Sequence, residues 1–254
     1  MNSKIRFHSF SKCAWLAISL ALLVLVPANL RAAGTNYYLG AGQPDPLVLL
    51  MPPPLLDSSE QLGDLAEVRY IHTHHTTNEE AAADAERKGA SLAFFKPILG
   101  EFFQVEQLPK TKAFFQHVIG DAARKVDLAK EHWKRKRPYV VDPSLDDGKP
   151  VGDISYPSGH STGGMTYALV LAEIFPEKRD ALIAIGRDIG WHRVVIAKHF
   201  PTDVFAGRVL AQAVVREMKA NPGFQRDLAE VKVEIAAVQS SWHQPSPSSA
   251  GTSH

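Results

Sequence analysis

From residue 58 onward the apolar residues recur with the period of an α-helix, and no segment alternates apolar and polar residues as a strand would. The pattern predicts helices over about 78–95, 109–133, 160–175, 178–197, 203–219 and 223–239. Residues 165–175 are apolar on nearly every side but too few to cross a bilayer, which indicates a central buried helix. We therefore expect an all-α fold, a compact helical bundle.

The N-terminal segment has a different character. It carries four basic residues and no acidic one before residue 33: Lys4, Arg6, Lys12 and Arg31. An apolar run over 14–26, the helix breaker Pro27 and small residues up to Ala33 complete a layout typical of a secretory signal peptide. The alternative is an uncleaved anchor helix, but the apolar run is too short to span a bilayer comfortably. We expect export to a bacterial periplasm or beyond, with no membrane span after cleavage.

Composition excludes several classes of protein. An apolar share of 45% and a charged share of 22% do not fit a wholly disordered chain, a collagen or a coiled coil. The formal net charge of +1 does not fit a strongly basic nucleic-acid-binding protein, and we expect no nucleic-acid binding. A single cysteine, Cys13, excludes an intramolecular disulfide and a cysteine-based zinc site in this sequence. If cleavage follows Ala32, 222 residues remain with a net charge of −3.

Four segments are predicted along the chain. They are a signal peptide over 1–32, a proline-rich extended arm over 33–57, a helical domain over 58–240 and a disordered tail over 241–254. We expect the leucine and valine side chains of the arm to pack across the domain surface. The arm and other exposed apolar residues also make a homo-oligomer a possible assembly.

A basic segment closes the helix predicted to reach residue 133. Lys130 and Arg137 are seven positions apart, so if the helix continues to Pro138 both side chains point the same way. Taken alone, such a segment is typical of a solvated helix end, where basic residues interact favourably with the helix dipole.

A second segment, Pro157-Ser158-Gly159-His160, lies where a long loop meets the predicted central helix. Ser158 is placed to cap this helix, and Gly159 would let the backbone approach a ligand closely. The N–H groups of the first turn would then form an anion site with His160 beside it. An ordinary helix cap with an incidental histidine is the alternative, which the long preceding loop disfavours.

A third segment runs from Arg193 through His199 to Asp203. Arg193 falls on the apolar stripe of its predicted helix, and a buried guanidinium needs an anionic partner. Singly, His199 fits a helix C-terminus and Asp203 a helix start. Together the three segments would bring three cations, two histidines and a helix N-terminus around one anion. Phosphoryl transfer requires such an arrangement.

These residues resemble the three-part motif of the phosphatidic acid phosphatase type 2 and vanadium haloperoxidase superfamily. The motif is K-x(6)-R-P, then P-S-G-H, then S-R-x(5)-H-x(3)-D. The proline-rich LLMPPP, the Y-P-S-G-H context and the sequence from Asn221 to Phe224 extend the resemblance to secreted class A bacterial non-specific acid phosphatases. The chain departs from the family at His192, where serine is usual, and at Ser161, where threonine is usual in class A.

The resemblance implies the bundle of these enzymes, with its central helix starting at P-S-G-H, and broad hydrolysis of small phosphate monoesters at acidic pH. It implies that His199 is the nucleophile and forms a phosphohistidine, that Asp203 orients it, and that His160 protonates the leaving alcohol. Five further residues would bind phosphate: Lys130, Arg137, Ser158, Gly159 and Arg193. No metal and no other cofactor is implied.

Three other functions fit parts of the pattern. A vanadium-dependent haloperoxidase uses the same cradle for vanadate, but its chain is typically much longer. A lipid phosphatase of the membrane type has several spanning helices, so only a soluble enzyme acting on lipid headgroups would fit. A phosphate-binding protein without turnover would not need His199 backed by Asp203.

A histidine cluster, His72-Thr-His74-His75, is favoured as a surface loop or helix end over a metal site because it contains no carboxylate or thiol.

Overall fold

The structure is a computed structural model, and it describes residues 36–242. The predicted signal peptide and all of the predicted tail beyond residue 242 lie outside this part of the chain. Ten α-helices occur within it: α1 (Pro46–Leu49), α2 (Ser59–His74), α3 (Thr77–Ala85), α4 (Lys96–Leu99), α5 (Pro109–Trp133), α6 (Pro138–Val141), α7 (Gly159–Ile174), α8 (Arg179–Val195), α9 (Pro201–Lys219) and α10 (Pro222–Trp242). Residues 36–242 contain no strand, so the all-α prediction is confirmed.

The centre of the bundle is α7, as the apolar run predicted. It packs against α5, α8 and α9, and its residues Ala168, Val170 and Leu171 are fully buried. Glycines bring the helices close together. A Cβ atom on Gly186 of α8 would lie 2.7 Å from Cβ of Ala168 and 2.9 Å from the carbonyl oxygen of Gly164. The helix backbones are therefore nearly in contact at this crossing.

The ends of α5 and α7 have identifiable local causes. Pro109 starts α5, where a missing N–H costs nothing, and Lys134 ends it with the left-handed φ of 51°. The helix does not continue to Pro138, so the condition we placed on the spacing of Lys130 and Arg137 fails. Ser158 caps α7 by accepting a hydrogen bond from the N–H of Ser161, as predicted.

The helix predicted over 78–95 is shorter than expected. It begins with a capping box between Thr76 and Glu79 and ends at Ala85. The chain then turns through Gly89, whose φ of 131° is a backbone angle that residues other than glycine rarely adopt. Ser91 then caps a separate 3-10 turn. α3 packs against α8, and the side chain of Glu86, its C-terminal cap, reaches His192 of α8.

The arm differs from its prediction in two ways. It contains one helical turn, α1, which Asp45 caps ahead of the prolines. Leu39 and Leu50 are buried, but Val48 and Leu55 are 84% and 79% exposed, so most of its apolar side chains do not pack on the domain. The start of the arm is held by Asp121 of α5, whose carboxylate accepts the backbone N–H groups of three successive residues: Tyr37, Tyr38 and Leu39.

The histidine cluster lies at a helix end, as favoured: α2 ends at His74, and His75 is its C-terminal cap. Across residues 36–242 no group of three or more histidine, cysteine and carboxylate side chains is arranged to hold a metal ion. In the same range no helix is both long and apolar enough to cross a membrane.

Candidate active site

The three segments singled out in the sequence meet at one place, at the N-terminal ends of α7 and α9. Lys130 comes from the last turn of α5, and Arg137 from the extended segment after it. Arg193 lies in the last turn of α8, and His199 in the turn between α8 and α9. The N–H of Ser158 donates to the carbonyl oxygen of Asp203 over 3.0 Å, which joins the start of α7 to the start of α9.

The turn that carries His199 is unusually tight. Ala197 has the left-handed φ of 52°, and the N–H groups of Lys198 and His199 both donate to the carbonyl oxygen of Arg193. The His199 side chain lies between Arg137, Ser155 and Asp203. Only 2% of the residue is exposed.

The contacts of His199 fix its tautomer. Nη1 of Arg137 lies 3.0 Å from Nε2, and because a guanidinium can only donate, Nε2 must present its lone pair. The proton of the neutral ring is then on Nδ1, which lies 3.4 Å from Oδ2 of Asp203 and 3.3 Å from Oγ of Ser155. The ring therefore offers an unprotonated nitrogen on the side of the cations.

The protonation state follows from the surroundings. Burial, followed by the charges of Arg137, Lys130 and Arg193, holds the pKa of His199 well below its usual 6.5. The imidazole is neutral under mildly acidic conditions, and only the neutral ring has a nucleophilic nitrogen.

Asp203 is anchored by residues that the sequence did not single out. Its Oδ1 accepts from Nη1 of Arg135 at 2.6 Å, and its Oδ2 accepts from Oγ of Ser155 at 2.5 Å and from the N–H of Phe200 at 2.8 Å. Burial raises the pKa of Asp203, and Arg135 is the largest influence opposing this rise. The carboxylate therefore has a fixed position behind His199.

Arg135 extends this support to α2. Its Nη2 donates to Oδ2 of Asp64 at 2.7 Å and to Oε1 of Gln61 at 2.6 Å, and its guanidinium lies 4.1 Å from the centre of the Phe200 ring. Arg135, Ser155 and Asp64 are separated from their partners by about 50 to 140 positions. No local spacing signals such contacts, although the position of Arg135 between Lys130 and Arg137 is a hint.

Two buried guanidinium groups in the site have N–H donors that make no hydrogen bond within the described residues. Arg193 is 1% exposed, and its Nε and Nη1 have no hydrogen-bond partner among the described residues; Nε of Arg137 is in the same state. Unpaired buried donors of this kind are costly and point to a bound anion. This agrees with the argument that placed Arg193 on an apolar stripe.

The positive charges also act on one another. Burial and the neighbouring Arg137 lower the pKa of Lys130 to about 8 and the pKa of Arg193 to about 10. Nζ of Lys130 donates to the carbonyl oxygen of Ile154 at 2.9 Å, which holds the ammonium in place. A phosphate dianion placed here would relieve this repulsion.

His160 lies in the first turn of α7, and its Nε2 donates to the backbone carbonyl oxygen of Glu86 at 2.8 Å. Burial, followed by Arg193, lowers its pKa to about 4. Lys130 and Gly159 line a cavity of about 260 Å³ with further residues of α5, among them Val126 and Asp127, but Arg137, His160, Arg193 and His199 do not line it. The residue types and charges collected in the site can bind a phosphoryl group, attack it and protonate a leaving group. The catalytic and binding roles themselves stay predictions.

The chain is similar to known proteins over most of its length. A family model described as "PAP2 superfamily" matches residues 113–225. A non-specific acid phosphatase from Providencia stuartii is 32% identical over 242 residues, which is 89% of this chain and 96% of the relative. An acid phosphatase from Zymomonas mobilis is 30% identical over 209 residues, 79% of each chain. A transmembrane PAP2-type phosphatidylglycerolphosphate phosphatase from Bacillus subtilis is structurally similar, with a TM-score of 0.47, 20% identity and coverage of 65% of this chain and 87% of that one.

Proposed function

Because the chain belongs to the PAP2 superfamily and is a phosphatase related to bacterial non-specific acid phosphatases, we propose that it hydrolyses phosphate monoesters broadly through a phosphohistidine on His199. The observation that carries this proposal is the orientation of His199. Its Nε2 is unprotonated and lies among Arg137, Lys130 and Arg193, while Nδ1 is directed at Asp203. A nucleophile in this state needs no further activation.

Substrate binding would use the guanidinium N–H groups that have no hydrogen-bond partner among the described residues. The phosphoryl oxygens would be held by Arg193, Arg137 and Lys130, with Ser158 and the Gly159 N–H at the start of α7. Nη1 of Arg137, which now donates to Nε2 of His199, would turn to a phosphoryl oxygen and leave the nitrogen lone pair free. Forked donors match the three equatorial oxygens of the transition state, where charge is spread.

In the first step, Nε2 of His199 attacks phosphorus and the bond from phosphorus to the alcohol oxygen breaks. His160, in its protonated form, gives a proton to that oxygen, and the alcohol leaves. Asp203 stabilises the positive charge that develops on the His199 ring through Nδ1–H. In the second step, neutral His160 takes a proton from water, the water oxygen attacks phosphorus, and the phosphorus–nitrogen bond breaks to release phosphate.

The decisive experiment combines a variant with trapping of the intermediate. We expect His199→Ala to lose at least about a thousandfold of the p-nitrophenyl phosphate hydrolysis rate, because the covalent route is removed. When turnover of a ³²P-labelled substrate is rapidly quenched, we expect the wild-type protein to carry a covalent ³²P label that is stable in base and labile in acid. The variant should carry no such label. His117→Ala, which removes a histidine that stacks on Tyr37 in the arm, is the control and is expected to stay active. Full activity of folded His199→Ala would refute the proposal.

Inhibitors separate this function from its alternatives. Vanadate is expected to inhibit, since it resembles the five-coordinate transition state, and EDTA is not, since the proposed site binds phosphate through cations and histidines. Oxidation of bromide by vanadate-loaded protein with peroxide, without phosphatase activity, would favour a haloperoxidase. Turnover of lipid phosphates alone would favour a lipid phosphatase.

We further propose that the protein is exported after cleavage of residues 1–32, with the arm beginning at residue 33 and the helical domain at residue 58. The proposal is supported by the basic and apolar pattern of the N-terminal segment and by the absence of cysteine after residue 13. Mass spectrometry of the protein recovered from the periplasm tests it directly. An intact N-terminus in the membrane fraction would contradict it.

A further inference from the structure

The C-terminal end of α3 connects two histidines that lie on different helices. Glu86, the C-terminal cap of α3, is 6% exposed and contacts His160 of α7 through its backbone and His192 of α8 through its side chain. One residue therefore joins the proposed general acid to a second histidine outside the proposed phosphate-binding set.

The backbone contact determines which nitrogen of His160 is protonated. The carbonyl oxygen of Glu86 accepts from Nε2 of His160 at 2.8 Å and from the N–H of Gly89 at 2.9 Å. A carbonyl oxygen can only accept, so Nε2 carries a proton and Nδ1 of the neutral ring is the basic nitrogen. Proton transfer to and from the substrate must then run through Nδ1.

The side-chain contact holds the same residue in place. Nδ1 of His192 lies 3.1 Å from Oε1 and 3.0 Å from Oε2 of Glu86, and both side chains are largely buried. Because the carboxylate only accepts, His192 donates from Nδ1. The end of α3 is thus tied to the last turn of α8, next to Arg193.

Charged groups on both helices act on this pair. Burial alone would lower the pKa of His192, but the hydrogen bond and charge of Glu86, together with Asp188 on α8 and Glu79 on α3, raise it. The charge of Glu86 in turn favours the charged form of Arg193, while Arg87 opposes it. When His192 is protonated it forms a buried ion pair with the Glu86 carboxylate, which restricts the position of the Glu86 peptide.

We propose that Glu86 and His192 form a positioning pair for His160, which holds the Glu86 carbonyl where it fixes the Nε2–H tautomer and aims Nδ1 at the leaving-group oxygen. The inference rests on the proposed function of His160 as general acid and goes beyond it. Neither residue belongs to the proposed phosphate-binding set. They act on both proton transfers of His160, and only the first, protonation of the alcohol, depends on the leaving group.

The predicted effect is selective for the leaving group. An alkyl phosphate such as glycerol 2-phosphate has a basic leaving oxygen that must be protonated, whereas p-nitrophenolate leaves with little help. Loosening His160 therefore slows the alkyl ester far more than the aryl ester. Phosphate binding and attack by His199 are unaffected, and hydrolysis of the phosphoenzyme is common to both substrates, so kcat/KM is the quantity that separates them.

The variants are His192→Ala, which removes the donor, and His192→Asn, whose amide nitrogen takes the place of Nδ1. We expect His192→Ala to lower kcat/KM for glycerol 2-phosphate by about tenfold or more relative to p-nitrophenyl phosphate, and His192→Asn to restore most of the ratio at pH 5. His75→Ala is the matched control, since it removes another His–Glu pair of this region, His75 with Glu80, away from His160. An unchanged ratio in His192→Ala overturns the inference while leaving the phosphatase function standing.

A second measurement does not depend on turnover. The ¹⁵N chemical shifts of the His160 ring, assigned with His160→Gln, report the tautomer directly. We expect the Nε2–H form in the wild type and in His75→Ala, and a mixture of tautomers in His192→Ala. A His160 spectrum that is the same in His192→Ala and wild type refutes the inference even if the wild type shows no phosphatase activity.

Discussion

Nη1 of Arg135 lies 2.6 Å from Oδ1 of Asp203, and this buried pair ties the segment after α5 to the first turn of α9. The same guanidinium reaches Asp64 of α2 at 2.7 Å, so it bridges two carboxylates that are each at most 5% exposed in their side chains. Neither carboxylate is accessible enough to be solvated if the bridge is removed. Arg135 therefore supports both the fold and the site.

Removing this bridge is predicted to be severely destabilising. Arg135→Ala leaves two buried carboxylates without their cation, which should cost about 3–5 kcal/mol of unfolding free energy. Urea denaturation of the purified variants measures it. Arg69→Ala is the matched control, because its pair with Asp142 is 56% exposed on the arginine side and should cost less than about 1 kcal/mol. Equal losses for the two variants would contradict the buried-bridge argument.

Activity at low pH depends on the depressed pKa of His199. An ordinary histidine with a pKa near 6.5 is about 97% protonated at pH 5 and would be a poor nucleophile. Burial and three cations lower the pKa of His199, so its neutral form persists and loss of activity by protonation begins well below pH 6.5. The burst of phosphoenzyme at pH 5 and the ¹⁵N shifts of His199 between pH 4.5 and 7 measure this. An imidazolium spectrum at pH 5.5 would show the prediction to be wrong.

The basic side of the pH profile should report Lys130. Its pKa is lowered to about 8, so the ammonium that binds phosphate loses its proton as the pH rises past 8. We expect kcat/KM to fall by about tenfold per pH unit above that point, because the neutral amine no longer attracts the phosphate. Lys130→Arg keeps its charge and should retain a larger share of its own pH 6 activity at pH 9. An identical fall of kcat/KM above pH 8 in both proteins would mean that a group other than Lys130 sets the basic side of the pH profile.

The close helix crossing at Gly186 predicts a steric effect. In Gly186→Ala the new Cβ would lie 2.7 Å from Ala168, so α7 and α8 must separate, and we expect a loss of about 1–3 kcal/mol in unfolding free energy. Gly63→Ala on the exposed face of α2 meets nothing within 4 Å and should instead gain about 0.5–1 kcal/mol. Urea unfolding of both variants tests the sign. Stabilisation by Gly186→Ala would mean that the helices are not in contact there.

What could be predicted from the sequence depended on whether the signal was local. The long helices α5 and α7 to α10 show a stripe or a run of apolar residues, and their approximate extents were predicted correctly. The end of α5 at Trp133 agrees with the prediction, but the sequence left open a continuation to Pro138, which the left-handed conformation of Lys134 prevents. The end of α3 was missed because nothing in its composition changes before Gly89.

The site shows the same division. Lys130, Arg137, Arg193 and His199 were singled out because their types and spacing match a recognisable motif. Ser155 and Arg135 were missed, since they act on Asp203 from 48 and 68 positions away and have no signature of their own. His192 was noticed only as an unusual residue. Its partner Glu86, 106 positions away, is visible only once the chain is folded.

Gly207 of α9 faces the first turn of α7, where a Cβ would lie 2.7 Å from the carbonyl oxygen of Ser158. The phosphate end of the site is thus built from backbone against backbone and has no spare volume for larger side chains. Variation in substrate preference has to come from elsewhere, such as the segment after α3, where Arg87, Gly89 and Ser91 have structural roles but Lys88 is exposed. A directed-evolution library at Lys88 should yield folded, active enzymes, whereas one spread over α7 to α9 should yield mostly unfolded protein.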